Sequence, residues 1–145
     1  YGIDYPGDEN HNGAYKVEKT KHLSKLLSLR QTHAYGKQHD YYDHHHVIGF
    51  TREGENENQG LAMICSDGPG GMKHMYIGTQ HKNEVFEDAL KNVEGQVVID
   101  NDGCGDFYCD GGSISVWVKV DTLNWKQVLF HHVRKAIRHF FSKSI

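Results

Sequence analysis

From His45 to Lys119 the chain is cut into short runs of β-branched, aromatic and other apolar residues by turn residues. That rhythm leaves little room for anything but short strands. The runs predict strands near 46–52, 60–66, 72–78, 84–89, 95–100, 105–110 and 112–119. Turn chemistry separates them at Gly54-Glu55-Asn56, Asp67-Gly68-Pro69-Gly70-Gly71, Lys91-Asn92, Asn101-Asp102-Gly103 and Asp110-Gly111-Gly112. Strands this short, with no helical pattern between them, point to an antiparallel β-sandwich rather than to βαβ units. The last run alternates strictly, with Ile114, Val116 and Val118 on one face and Ser113, Ser115 and Trp117 on the other.

The flanks read differently. Residues 1–16 are rich in Gly, Asn, Asp and Tyr and read as a loop with a turn at Pro6-Gly7-Asp8. From Val17 to about His33 the pattern turns helical, with Leu23, Leu26 and Leu27 at i, i+3, i+4 spacing, Leu29 beyond them and lysines interleaved. Beyond Val120, Asn124 and Gln127 make a capping box for a second helix. Its apolar stripe comprises Trp125, Val128, Leu129, Val133, Ala136, Ile137, Phe140 and Phe141, with basic residues on the remainder. The domain reading is therefore 1–33, 34–119 and 120–145. The tail is expected to pack within the chain, with contact to an anionic membrane as the weaker reading.

At 145 residues the chain is long enough for one core of its own. A net charge of −3 gives no nucleic-acid footprint, and no run approaches the roughly 18 apolar residues that span a bilayer. Cys65, Cys104 and Cys109 are odd in number and lack metal-finger spacing, so they read as free thiols, Cys65 and Cys109 as buried ones. That count leans towards a reducing, cytoplasmic compartment. The chain opens Tyr1-Gly2-Ile3 without Met, so its true start is expected upstream.

Among residues able to carry chemistry, Asp40 in Gln38-His39-Asp40-Tyr41 and Asp67 in Ser66-Asp67-Gly68-Pro69 are turn carboxylates of the kind calcium takes. The bland reading is two aspartates accepting local backbone N–H bonds. His44, His45 and His46 invite a zinc reading, but adjacent histidines need a distant fourth ligand to close a tetrahedron, and solvated side chains are the expectation. Asp106 and Asp110 share a strand face and read as exposed acids. Gly68-Pro69-Gly70-Gly71 lacks the Lys-Ser/Thr and the helix of a phosphate loop.

Three stretches carry a family likeness in order and spacing: Ala34 to Gly54 (AYGKQHDYYDHHHVIGFTREG), Ser66 to Gly71 (SDGPGG) and Gly111 to Val118 (GGSISVWV). They resemble the C-terminal end of bacterial α-amylases of glycoside hydrolase family 13, most nearly the liquefying Bacillus type, over roughly residues 1–119. The resemblance implies that Tyr1 to His33 is the last loop and helix of a (β/α)₈ barrel and that 34–119 is the Greek-key β-sandwich called domain C. It implies an interdomain Ca²⁺ held by the backbone carbonyl of His39 and the carboxylates of Asp40 and Asp67. The implied parent reaction is endo-hydrolysis of α-1,4-glucan with retention, on barrel carboxylates not found in this chain. The chain alone is then expected to be inactive, meeting α-glucan only through the barrel. Gly103-Cys104-Gly105 departs from the family, which usually places an aromatic residue between those glycines. The rival reading is an independent carbohydrate-binding sandwich, stacking sugars on Tyr41, Tyr42, Tyr76 or Trp117.

Overall fold

The computed structural model describes residues 21–56 and 59–120. The tail helix expected after Val120, the loop expected over 1–16 and the first residues of the expected helix, 17–20, lie outside the described residues. One helix, α1 (Leu23–His33), precedes eight strands: β1 (Gln38–Tyr41), β2 (Val47–Arg52), β3 (Leu61–Ser66), β4 (Gly71–Tyr76), β5 (Val85–Asp88), β6 (Val97–Val98), β7 (Cys104–Cys109) and β8 (Ile114–Lys119). The seven expected strands are all present. The addition is β1, which the sequence presents as a ligand-rich loop and which pairs antiparallel with β2, Asp40 opposite Phe50 and Tyr41 opposite Gly49.

The strands form a six-stranded sheet, in the order β1-β2-β3-β8-β5-β6, and a two-stranded sheet of β4 and β7. Every pairing is antiparallel. The inner face of the large sheet presents Val47, Ala62, Ile64, Phe86, Val97 and Trp117. They meet Met75, Phe107 and Cys109 of the small sheet in one core. Phe86, Phe107 and Trp117 contact one another edge-on, with successive ring centroids 6.2 and 6.1 Å apart. Gly49 leaves room for Met75, whose Sδ would lie 2.7 Å from a Cβ there.

Trp117 is fully buried and its indole N–H donates to the Tyr108 carbonyl at 3.1 Å. It is therefore no sugar platform, which corrects that part of the binding-module expectation. Of the other aromatics proposed for that role, Tyr41 turns its hydroxyl inward, where it accepts from the Tyr76 N–H at 2.8 Å. Tyr76 stands edge-on to His39. Tyr42 alone of the four is widely exposed.

The outer face of the large sheet is apolar too. Leu61, Val116 and Leu90 are buried there with Leu29 of α1, and Phe50, Met63, Ile114, Val118 and Leu26 pack around them half-buried. The helix touches the sheet through Leu29 and Leu26, while Leu23 and Leu27 remain about half exposed. The leucine stripe thus splits: one flank lies on the sandwich and the other faces away. Of the thiols, Cys109 is buried, whereas Cys65 and Cys104 are only half-buried; all three are free. For Cys65 this replaces the expected full burial, because its position opposite Ile48 puts it on the outer face.

Candidate functional site

Two surfaces of the sandwich concentrate side chains able to do something. The first is the outer face of the large sheet. Alternation in β2 and β3 sends Phe50 and Met63, which are register partners, outwards together, and β8 adds Ile114 and Val116. Between this face and α1 runs an open groove of about 690 Å³, with Leu26, Ala34, Phe50, Met63 and Val116 in its walls. Its polar rim comes from Arg30, Gln38 and Arg52.

The second surface is the end of the sheet where β1 leaves and β2 enters. His44, His45 and His46 form an exposed bend there, the His44 and His45 rings stacked at 4.6 Å between centroids and the His46 ring tilted against His45 at 4.2 Å. His44 Nδ1 accepts from the N–H groups of His46 and Val47, each at 3.2 Å, and so helps start β2. His46 Nδ1 lies 2.9 Å from Asp67 Oδ1, and this contact holds the Asp67 carboxyl below its usual pKa. Nearby Lys73, buried on the inner face, is neutralised by Asp43, whose carboxyl that hydrogen bond likewise lowers. These pairings give the histidine run a structural role at the sheet edge.

The three residues implied as calcium ligands fall in different surroundings. His39 points to the inner side, its Nε2 2.5 Å from Glu53 Oε1 and its ring edge-on to Tyr76. Asp40 lies on the outer side opposite Phe50, with its Oδ1 accepting from Gln38 Nε2 at 2.7 Å and from the Tyr42 hydroxyl at 3.4 Å. Asp67 sits beside His46, to whose carbonyl its N–H donates at 3.2 Å. Asp40 is thus two strands and about four residues away from Asp67, which strand spacing and rise convert to ~16 Å between Cα atoms. Calcium–oxygen distances of about 2.3–2.6 Å do not bridge that separation. The structure brings His39 and Asp40 together as chain neighbours and leaves Asp67 apart.

For glycoside chemistry one carboxyl must be kept protonated as the acid, by a raised pKa. Among the described residues the shifted carboxyls, Asp43, Asp67, Glu84 and Glu87, all move the other way. Burial pushes Glu84 up, but hydrogen bonds from Lys119 (2.6 Å) and His81 (2.6 Å) outweigh it. The most buried acid, Asp88, is spent on main-chain donors: Oδ1 accepts from Leu90 and Val116, Oδ2 from Asn92 and Val93. Nothing in the sequence pattern singled out Asp88; a strand-ending Asp before Ala-Leu-Lys-Asn was the only signal.

An antiparallel β-sandwich with an apolar outer sheet face and a helix lying partly across it is the class of fold these residues define. The chain is 46% identical over 131 residues to an α-amylase of Geobacillus stearothermophilus, covering 86% of this chain and 23% of that protein. It is 44% identical over 107 residues to an α-amylase of Bacillus licheniformis, covering 72% and 21%. A glucan 1,4-alpha-maltohexaosidase of Bacillus sp. (strain 707) matches at 46% over 120 residues, 81% and 22%. No protein-family model matches the chain. Among solved structures, AmyP in complex with maltotriose aligns with a TM-score of 0.45 at 13% identity, over 66% of this chain and 19% of that one. The chain belongs with the bacterial α-amylases, and it spans about a fifth of the length of the relatives it matches.

Proposed function

We propose that this chain is the β-sandwich part of an α-glucan-hydrolysing enzyme and supports the catalytic part without itself cleaving glucan. The observation that carries the proposal is the large sheet's outer face, which is apolar and which, among the described residues, is covered at one end by Leu29 and Leu26 of α1. A second layer docked on Phe50, Met63 and Ile114 removes apolar area from water at roughly 25 cal/mol per Å². Leu23 and Leu27, turned away from the sandwich, offer the same layer a second contact. In this reading the catalytic carboxylates and the glucan subsites belong to the docked part, and residues 21–33 are its last helix.

The test pairs this chain with a Bacillus α-amylase cut short of the matching segment. Co-expression is expected to yield a co-purifying complex that hydrolyses starch, while the 145-residue chain alone releases no reducing ends above buffer. Phe50→Asp is expected to abolish co-purification. Starch cleavage by the chain alone, or complexes that tolerate Phe50→Asp, overturn the proposal.

Calcium is proposed for the same junction, on family membership and on Asp40, which lies on the sheet face offered for docking. The separation of Asp40 from Asp67 argues against one ion shared by both as the chain stands, so the His39 carbonyl and Asp40 form one half-site and Asp67 another. Calorimetric titration is expected to show only weak binding, about 10⁻⁴ to 10⁻³ M. Asp40→Asn and Asp67→Asn are each expected to leave part of it. Complete loss with either single substitution restores the shared ion.

A further inference from the structure

On the opposite side of the molecule, the solvent face of the small sheet carries a group of a different kind. A ring nitrogen of His74, a carboxylate oxygen of Asp100 and Cys104 Sγ all lie within 4.8 Å of one another. We propose that these three residues bind a divalent transition metal of the zinc class, independently of the glucan-related reading above.

The fold assembles the group from two directions. Register in the small sheet sets His74 opposite Asp106 and Tyr76 opposite Cys104, so His74 and Cys104 are diagonal neighbours on one face. Such neighbours have Cα atoms about 7–8 Å apart, within reach of an imidazole. Asp100 arrives through the tight turn before β7. Its N–H donates to the Cys104 carbonyl at 2.8 Å and its carbonyl accepts from Gly103 at 3.2 Å. Gly103, at φ +83°, makes that turn where a Cβ would meet the Gly78 carbonyl carbon at 2.5 Å.

Each donor is also held in place. Asp100 Oδ1 accepts from the N–H groups of Asp102 and Cys104, both at 2.9 Å, which fixes the carboxylate and leaves Oδ2 for a ligand. His74 Nδ1 lies 2.7 Å from Asp106 Oδ1. With Nδ1–H donating to the Asp106 carboxylate, Nε2 keeps its lone pair for a metal, the carboxylate–imidazole–metal order that fixes tautomer and ring orientation. Cys104 is half-buried, and the carboxylates of Asp100, Asp102 and Asp106 lie around it as negative charge that favours a cation.

The donor set chooses the class of ion. Nitrogen, sulfur and a single carboxylate do not suit calcium or magnesium, which take oxygen, and do suit zinc and its neighbours. Tetrahedral bonds of about 2.0–2.3 Å place ligand atoms about 3.4–3.8 Å apart, so the three donors need to close by about an ångström. Water completes the fourth position on this open face. Binding replaces the S–H bond with an S–metal bond and sends the proton to solvent, one per ion.

Cobalt(II) titration of the metal-free, reduced 145-residue chain tests the site. One equivalent is expected to give a thiolate-to-cobalt charge-transfer band, displaced by zinc, with one proton released per ion. Cys104→Ser is expected to remove the band, and His74→Ala to weaken binding by tenfold or more. Asp106→Asn, behind the imidazole, is expected to keep the band and cost about tenfold in affinity. Cys65→Ser and His46→Ala are expected to change nothing. The proposal fails if the unaltered chain shows no thiolate band. It fails equally if the band survives Cys104→Ser, or if His46→Ala abolishes binding while His74→Ala does not. His74 and Asp106 are surface residues, so their variants keep the test sound even where Cys104→Ser disturbs folding.

Discussion

Replacing Asp88 is expected to be the most damaging polar substitution in the sandwich. Its carboxylate is 1% exposed and accepts four main-chain N–H groups: Leu90 at 3.0 Å, Val116 at 3.0 Å, Asn92 at 2.9 Å and Val93 at 3.2 Å. It ties the end of β5 and the turn after it to β8. Hydrogen bonds to a charged acceptor contribute about 1.5–3 kcal/mol each, and a buried donor left without a partner costs about 1–3 kcal/mol. Summing four overshoots, because the Leu90–Val93 turn relaxes and water enters. A loss of about 3–5 kcal/mol for Asp88→Ala is the working figure, the range seen when a buried charge network loses one partner. For a domain of this size, stable by about 5–15 kcal/mol, that is a large share. Asp88→Asn keeps one acceptor oxygen and turns an NH₂ towards two N–H donors, so about 2–3 kcal/mol is expected. Urea unfolding followed by far-ultraviolet circular dichroism reads both, with the slope against urea unchanged if only stability moves. A shift under about 1 kcal/mol for Asp88→Ala refutes the account, since four satisfied donors cannot then have depended on this side chain.

Three further outcomes follow from neighbouring features. Ser115 is fully buried and its Oγ has no hydrogen-bond partner among the described residues, so Ser115→Ala is expected to be neutral or to stabilise by up to about 1 kcal/mol in the same urea assay. Gly103→Ala forces a Cβ to 2.5 Å from the Gly78 carbonyl carbon at positive φ, and is expected to cost more than about 1 kcal/mol and to lower Tm by several degrees. Glu84 has a folded-state pKa below its unfolded value, so its stabilising contribution is full above the unfolded pKa and is lost as pH falls through the folded one. Asp67 and Asp43 shift the same way, so urea midpoints are expected to fall on the acid side of about pH 4.5, and Glu84→Gln to flatten that fall.

Strand positions were legible because turn chemistry brackets them, and β2, β3, β4 and β7 begin and end within two residues of expectation. β1 was not. Gln38-His39-Asp40-Tyr41 has no apolar alternation, and it is a strand because it edges β2, with Tyr41 anchoring inward on the Tyr76 N–H and His39 on Glu53. The same polarity that disguised the strand made it look like a ligand loop. Asp67 was correctly read as a turn residue, but its partner, His46, is set by the crossing of two strand ends, which no local spacing records. His74, Asp100 and Cys104 escaped notice for a similar reason: they are 26 and 4 positions apart, and only the β4–β7 register and the turn at Gly103 make them neighbours.

β8 carries the deeper lesson about alternation. Strict alternation normally separates a core face from a wet one, and Ser113, Ser115 and Trp117 look like the wet side. In the fold Ser115 and Trp117 face the inner core, and Val116 is buried on the outer face with Leu29 and Leu61. A strand buried on both sides belongs to a central layer, with Ser115 and Trp117 fully buried on the inner side and Val116 on the outer. Among the described residues one helix, α1, covers the outer side. Apolar area still open on such a face is worth roughly 25 cal/mol per Å² to whatever covers it. The departure of β8 from simple alternation therefore records two apolar faces of the sheet: the inner one covered by β4 and β7, and the outer one, covered among the described residues by Leu29 and Leu26 of α1, which is the face that the proposed function offers for docking.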